Sequence, residues 1–257
     1  MKVSIITAVR NARDTVERTL ASVQSQSYPQ IEHIVVDGLS TDGTLEILHR
    51  HKAVLSALII ERDRGVYDAF NKGLSRATGD IVGFLNADDV FAGTDVIQTI
   101  VDRFRASAVD ATFGDMVYVD PAHGSKVTRR YNSGTFRPER VAYGIMPAHP
   151  TLYLRKAVYD HFGGYDPQYR IAGDFELVAR VFAANSVRYA YIPQVLVEMR
   201  TGGLSTRGLS SKWIITREMR RACRQNGIGT NYVKLACRAP LKLLELLGDR
   251  NYRRQPG

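Results

Sequence analysis

Ile81-Val82-Gly83-Phe84-Leu85-Asn86-Ala87-Asp88-Asp89 is the stretch that decides how this chain reads. An apolar run ends in an amide and two adjacent acids. The run fits a buried strand that delivers two carboxylates to its C-terminal tip. Like charges at a strand end repel each other. A hard divalent cation relieves that repulsion, and Mg²⁺ typically takes one or two carboxylates plus substrate phosphates. A second apolar run, Ile34-Val35-Val36, also ends in an acid, Asp37. In open parallel α/β sheets, ligands bind beyond the carboxyl ends of the strands. Two acidic strand ends therefore point to one site for a metal-bound, phosphorylated ligand.

The flanking sequence alternates strand and helix. Lys2–Val9 reads as a strand, and Asn11 or Asp14 as the cap of a helix reaching Gln26, with Val16, Leu20 and Val23 on its apolar face. Tyr28-Pro29 ends it. Ile31–Asp37 is the second strand, and Ser40–Thr44 opens a helix through Leu45 and Leu48, with Asp42 as a cap. Val54–Glu61, a helix over Val66–Ala77, and Asp80–Leu85 follow. This order predicts an α/β fold with a mostly parallel sheet and right-handed crossovers. The first βα loop, Val9–Arg13, holds no glycine, which argues against a dinucleotide-binding fingerprint.

The second half reads as mixed. Strands are expected at Ala111–Val119, Lys126–Tyr131 and Thr151–Leu154, with extended segments at Val187–Ile192 and Val195–Arg200. Helices are expected at Arg155–Phe162, Phe175–Ala184, 209–226 and 233–247, the last bent at Pro240.

The chain has 257 residues, 35 of them basic and 26 acidic, a net charge of +9. Residues 204–257 hold 12 basic and 3 acidic residues, so the whole excess lies there. Such a tail favours an anionic partner. No apolar run approaches the roughly 18 residues of a membrane span. The start is too short in apolar residues for a signal peptide and reads as the first strand. Cys223 and Cys237 have no metal-type spacing. The expected compartment is the cytoplasm, with peripheral placement on the inner face of the membrane as a refinement.

The spaced set resembles the family-2 glycosyltransferases, which have the GT-A fold. The resemblance runs through Ser4–Asn11, Ser22–Pro29, Ile31–Thr44 and Glu61–Gly73, and covers about residues 1–205. The segment Glu61–Gly73 looks like the subgroup that builds bacterial exopolysaccharides such as colanic acid. The resemblance implies a catalytic domain over 1–205, with a nucleotide-sugar half to about 108 and an acceptor half beyond it. Residues 206–257 are then a basic helical tail. It implies transfer of a sugar from a nucleotide diphosphate, UDP being usual, with inversion at the anomeric carbon.

Carried over residue by residue, the resemblance implies these roles. Ala8 and Asn11 lie in the loop that contacts the nucleoside, and Asp37 matches the acid that binds the base or ribose. Asp63, Asn71 and Lys72 fall in the donor-binding stretch. Asp88 and Asp89 match the metal-binding end of a D-x-D-D motif, with Mg²⁺ or Mn²⁺ as the cofactor. Asn86 stands where many members have the first Asp, and an amide is a weaker metal ligand. Asp174, in Ala172-Gly173-Asp174-Phe175-Glu176, matches the catalytic base, with Glu176 as the lesser candidate. His149 matches a histidine lining the site, and Gly163–Asp166 the acceptor-side loop. The implied partners are a nucleotide-sugar donor and a saccharide or lipid-linked acceptor, with an anionic membrane surface as a further candidate and no specific nucleic acid.

Other readings stand beside these. Asp88 and Asp89 can cap a helix from about Asp95, and Asp174 can cap the helix that follows it. Asp166 can simply turn the chain before Pro167. A sugar-nucleotide nucleotidyltransferase would want a glycine-rich, basic phosphate loop after the first strand, and Val9–Arg13 lacks the glycines. A nucleic-acid binder would want aromatics interleaved with the basic tail; Trp213, Tyr232 and Tyr252 are widely spaced.

Overall fold

A computed structural model describes residues 1–120, 126–200 and 208–237. The chain opens with β1 (Val3–Val9), α1 (Val16–Gln24), β2 (Ile31–Asp37), α2 (Thr44–Arg50), β3 (Ala57–Ile60), α3 (Val66–Leu74) and β4 (Ile81–Phe84). These strands lie in the order β3-β2-β1-β4 and all run parallel. The chain moves outward from β1 to β3, then returns to the other side of β1. That reversal is the switch point at which open α/β sheets leave a crevice.

The strands read as continuous apolar runs because helices cover both faces. Val3, Ile5 and Val9 of β1 pack with α1 and its neighbours, while Ile6 packs with Phe70 and Leu74 of α3. This is period-two alternation within an unbroken hydrophobic string.

The second half continues the sheet with mixed polarity. It comprises β5 (Val90–Phe91), α4 (Val96–Ala106), β6 (Ala111–Asp120), β7 (Lys126–Tyr131), β8 (Tyr153–Arg155), α5 (Lys156–Phe162), α6 (Gly173–Ala183), β9 (Tyr189–Arg200), α7 (Gly208–Gln225) and α8 (Tyr232–Ala236). β8 runs antiparallel between β4 and β6, β9 parallel to β6, and β5 and β7 antiparallel at the far side.

Several boundaries differ from expectation. The expected strand Val54–Glu61 begins only at Ala57, because Lys52–Val54 forms a 3₁₀ turn. Val187–Ile192 and Val195–Arg200 merge into β9, with a register shift past the exposed Pro193-Gln194 pair. A bulge absorbs the proline without ending the strand. Asn11 does not cap α1; it sits in the left-handed region at φ 50°, and the helix begins at Val16. Of the expected 233–247 helix, α8 covers Tyr232–Ala236, and Pro240 with the leucines after it lies outside the described residues.

Residues 208–237, grouped above with a basic tail, join the larger core. Met219, Ala222, Cys223 and Leu235 are buried with Phe175 and Val178 of α6. No described helix is long and apolar enough to cross a membrane.

Candidate active site

Two parts of the site lie along the C-terminal edge of the parallel strands, and a third stands beside them. The first follows β1 and β2. Asp37 is fully buried, and its carboxylate accepts from the Ser40 backbone N–H (2.8 Å) and hydroxyl (2.6 Å). Ser40 Oγ in turn accepts from the Asn11 N–H (2.8 Å), and Asn11 Oδ1 accepts from Thr41 N–H (2.9 Å). The two loops are thus laced together, with the Asn11 side chain at the surface. Asp42 accepts from Thr44 N–H and from Arg13 N–H, but it stands one position ahead of the helix cap, which is Gly43.

Asp63 closes this part from the β3 side. A Cβ on Gly38 would lie 2.1 Å from Asp63 Oδ2, so only glycine lets the carboxylate reach the end of β2. Asp63 Oδ1 accepts from Gly65 N–H at 2.9 Å. Ala8, near the end of β1, is partly buried. Lys72 faces outward onto the same loop, where it donates to Arg62 O and pairs with Glu61 (3.2 Å) and Asp68 (3.7 Å).

The second part follows β4. Asn86 Nδ2 donates to Asp89 Oδ2 at 2.8 Å, and the Thr19 hydroxyl donates to Asp89 O at 2.8 Å. Asp89 is completely buried, and its Oδ1 has no hydrogen-bond partner among the described residues. Burial, then the adjacent Asp88 charge, pushes the Asp89 carboxyl well above its ordinary range. Burial raises Asp88 too, while Arg200 pulls it down. Asp88 is the member of the pair with a partly exposed surface.

This donor set fits a hard cation. Two adjacent carboxylates are held against burial and mutual repulsion, one with an unpartnered oxygen. Among the described residues no group of three or more His, Cys, Asp or Glu side chains could hold a metal. A cation at Asp88 would complete its shell from water and phosphate, as Mg²⁺ commonly does. Sequence reading missed Arg200. The pairs Val90–Glu198 and Phe91–Val197 bring the end of β9 toward the turn that holds Asp88, and Arg200 acts on its charge. The two-residue β5 that sets this register carries no periodicity to read.

The third part comes from the second half of the chain. Asp174 lies in the first turn of α6 and accepts from Phe175 N–H at 2.8 Å, with the Tyr67 hydroxyl at 3.5 Å. Burial raises its carboxyl, and His149 pulls it partly back. Burial lowers the His149 pKa, and the Asp174 charge opposes that shift. Its Nε2 pairs with the Tyr165 hydroxyl at 2.8 Å, and its ring stacks on Phe70 at 5.6 Å. Phe84, the last residue of β4, packs against both His149 and Tyr165. That aromatic cluster ties the acidic strand end to the Asp174 side.

Two expected site residues are committed elsewhere. Glu176 is buried and forms a two-bond pair with Arg180 (2.9 Å each), which also holds Gly164 O. Asn71 turns away from the nucleoside loops and bonds the backbone of Tyr165. Asp166 accepts from Gln168 N–H, the turn expected before Pro167.

Comparison with known proteins agrees with this geometry. Residues 4–162 match the family described as Glycosyl transferase family 2. An uncharacterized glycosyltransferase of Mycobacterium tuberculosis is 32% identical over 206 residues, covering 79% of this chain and 77% of that protein. A PGL/p-HBAD biosynthesis glycosyltransferase of Mycobacterium bovis is 31% identical, covering 79% and 78%. A putative teichuronic acid biosynthesis glycosyltransferase of Bacillus subtilis, TuaG, is 44% identical over 90 residues, covering 34% and 36%. Among solved structures, S. aureus TarS 1–349 in complex with UDP-GlcNAc superposes with a TM-score of 0.68 at 19% identity, covering 86% of this chain and 66% of that one. The mannosyltransferase PcManGT from Pyrobaculum calidifontis, in complex with GDP-Man and Mn²⁺, gives 0.60 at 19% identity, covering 95% and 80%. The chain belongs to glycosyltransferase family 2 and is a glycosyltransferase of the GT-A fold.

Proposed function

We propose that the protein transfers a sugar from a UDP-sugar to a hydroxyl of a saccharide or lipid-linked saccharide, inverting the anomeric centre, in the building of a cell-surface glycan. What supports this reading is the placement of Asp37 and the Asp88-Asp89 pair after neighbouring parallel strands, with Asp174, its carboxyl raised by burial, linked to the end of β4 through His149 and Phe84. The names of the PGL/p-HBAD and teichuronic acid relatives and the UDP-GlcNAc complex of TarS support the glycan and the nucleotide.

In this reading the laced Asn11–Ser40–Asp37 loops and Asp63 hold the nucleoside. Asp88, with Asp89 beside it, would hold Mg²⁺ or Mn²⁺; PcManGT was solved with Mn²⁺. When bound, the cation supplies Lewis-acid stabilisation of the departing diphosphate. Arg200 adds positive charge on the same side. Asp174 accepts the proton of the attacking hydroxyl. Its buried setting makes the carboxylate a stronger base than one in water. Neutral His149 and Tyr165 line the space beside it and exclude water from an oxocarbenium-like centre.

The test is nucleotide release from a panel of nucleotide sugars by the purified chain, with Mn²⁺, Mg²⁺ or EDTA. Metal-dependent release of UDP from one UDP-sugar, raised by a saccharide acceptor, is the expected result. Release from no sugar nucleotide, with or without acceptor, would overturn the reading.

A further inference from the structure

The geometry points to a second working surface, on α7 and α8. We infer that this face docks on an anionic lipid bilayer. The inference does not require the sugar-transfer reading to hold.

Trp213, Arg217, Arg220 and Arg224 follow one another at spacings of four, three and four residues, which puts them in one stripe along α7. All four are exposed, Trp213 by 60%. The opposite face of α7, with Met219, Ala222 and Cys223, is buried in the core. At the end of the stripe stands α8. The Tyr232 ring stacks on Trp213 at 5.7 Å and 17°, and the Arg220 guanidinium lies 4.8 Å from the Tyr232 centroid. Beside it Val233 is 74% exposed, and Lys234 lies over the exposed Tyr143.

The electrostatics select the partner. Residues 208–237 contain six basic side chains and one acid, Glu218. Glu218 is turned inward, where it accepts from the backbone N–H groups of Arg170 (2.8 Å), Ile171 (3.0 Å) and Ala172 (2.8 Å). The outer stripe therefore carries positive charge alone, around an exposed indole, a phenol and a valine. Amphipathic aromatics flanked by arginines suit the headgroup layer, where rings reach the acyl boundary and cations meet phosphate. A nucleic-acid platform would present free ring faces for bases. Here the Tyr232 ring already carries Trp213 and Arg220. Arg221 takes no part, since it sits over the Tyr169 ring (4.7 Å) and donates to Gln168.

The same helix reaches the chemistry through Glu218, which holds the loop just before Asp174.

Trp213 is the chain's one tryptophan, so its emission reports on this surface. The full chain is mixed with vesicles of phosphatidylcholine, or of equal parts phosphatidylcholine and phosphatidylglycerol, at low and high salt. Sedimentation with the mixed vesicles, a blue shift of Trp213, and weakening by salt are expected. The combined variant Arg217→Glu, Arg220→Glu, Arg224→Glu should lower the partition coefficient by about 100-fold or more at an unchanged thermal midpoint. Arg221→Glu alone should leave it nearly as it is. Should the triple variant not fold, Trp213→Ala provides the check and should weaken sedimentation by about tenfold. Equal binding to neutral vesicles, equal partition of the variants, or tighter binding of a single-stranded oligonucleotide than of the mixed vesicles would each overturn the inference.

Discussion

Asn71 and Tyr165 are joined by two hydrogen bonds. The Asn71 amide donates to Tyr165 O at 2.7 Å and accepts from Tyr165 N–H at 2.8 Å. One side chain of α3 thereby satisfies both backbone groups of a residue in the acceptor half. Gly164 makes room for it, because a Cβ there would lie 2.4 Å from Asn71 Oδ1. Asn71→Ala leaves two backbone groups unpaired and should cost about 2 kcal/mol, with a lower kcat and little change in UDP affinity. An unchanged thermal midpoint with lost UDP affinity would return Asn71 to the donor site.

The two acids after β4 should separate by substitution. Asp88→Asn should remove the part of UDP-induced thermal stabilisation that needs Mn²⁺ or Mg²⁺. For the parent chain that part should approach about 2.7 kcal/mol at 100 times the dissociation constant. Asp89→Asn keeps the bond to Asn86 and relieves a buried charge. It should raise the melting point while weakening the metal response less than Asp88→Asn does. Melting curves with UDP, metal and EDTA decide this, and an equal UDP shift in EDTA would defeat the metal assignment.

Asp174→Asn should lower transfer by about 10²–10⁴, the usual worth of a general base, while leaving donor affinity nearly intact. Burial raises the Asp174 carboxyl, so activity should fall with acid at a pH above the ordinary carboxylate range. That acid limb should vanish from the residual rate of the variant. Glu176→Gln should act on stability instead, because its carboxylate is spent on Arg180. A normal rate for Asp174→Asn would send the search for the base elsewhere.

Acid should unfold the chain in two stages. His33 is fully buried in β2, and burial depresses its pKa from 6.5 to about 4. Its contribution is complete above pH 6.5 and is lost as the pH falls toward 4, to a depth of about 3 kcal/mol. Its neighbour Glu32 is depressed from 4.5 to about 2; burial opposes this, but Lys2, Ser4 and Thr78 outweigh it. That share is present above pH 4.5 and is lost below it. His33→Leu should flatten only the upper stage in denaturant melts run between pH 7 and 3. An unchanged slope between pH 6.5 and 4 would contradict the buried neutral imidazole.

The parallel half was legible because its strands are unbroken apolar runs that end in acids or turn residues. Asp37 and Asp88 announce themselves by following Val36 and by closing the Ile81–Leu85 run. The acceptor half was less so. β8 is three residues long and β5 two, too short for any period, and their partners are remote in sequence. Asn71 and Glu176 look like site residues by position along the chain. Only the fold shows that Tyr165 and Arg180 have taken them.

The burial of Met219, Ala222 and Cys223 against α6 bears on where the chain can be cut. A fragment ending near residue 205 keeps the whole nine-stranded sheet, yet it strips the cover from Phe175 and Val178 and releases the backbone of residues 170–172 from Glu218. Such a fragment would retain the loops after β1 and β2 and lose the support of the segment that leads into α6. A chain cut near residue 205 should therefore melt well below one that runs through Leu235.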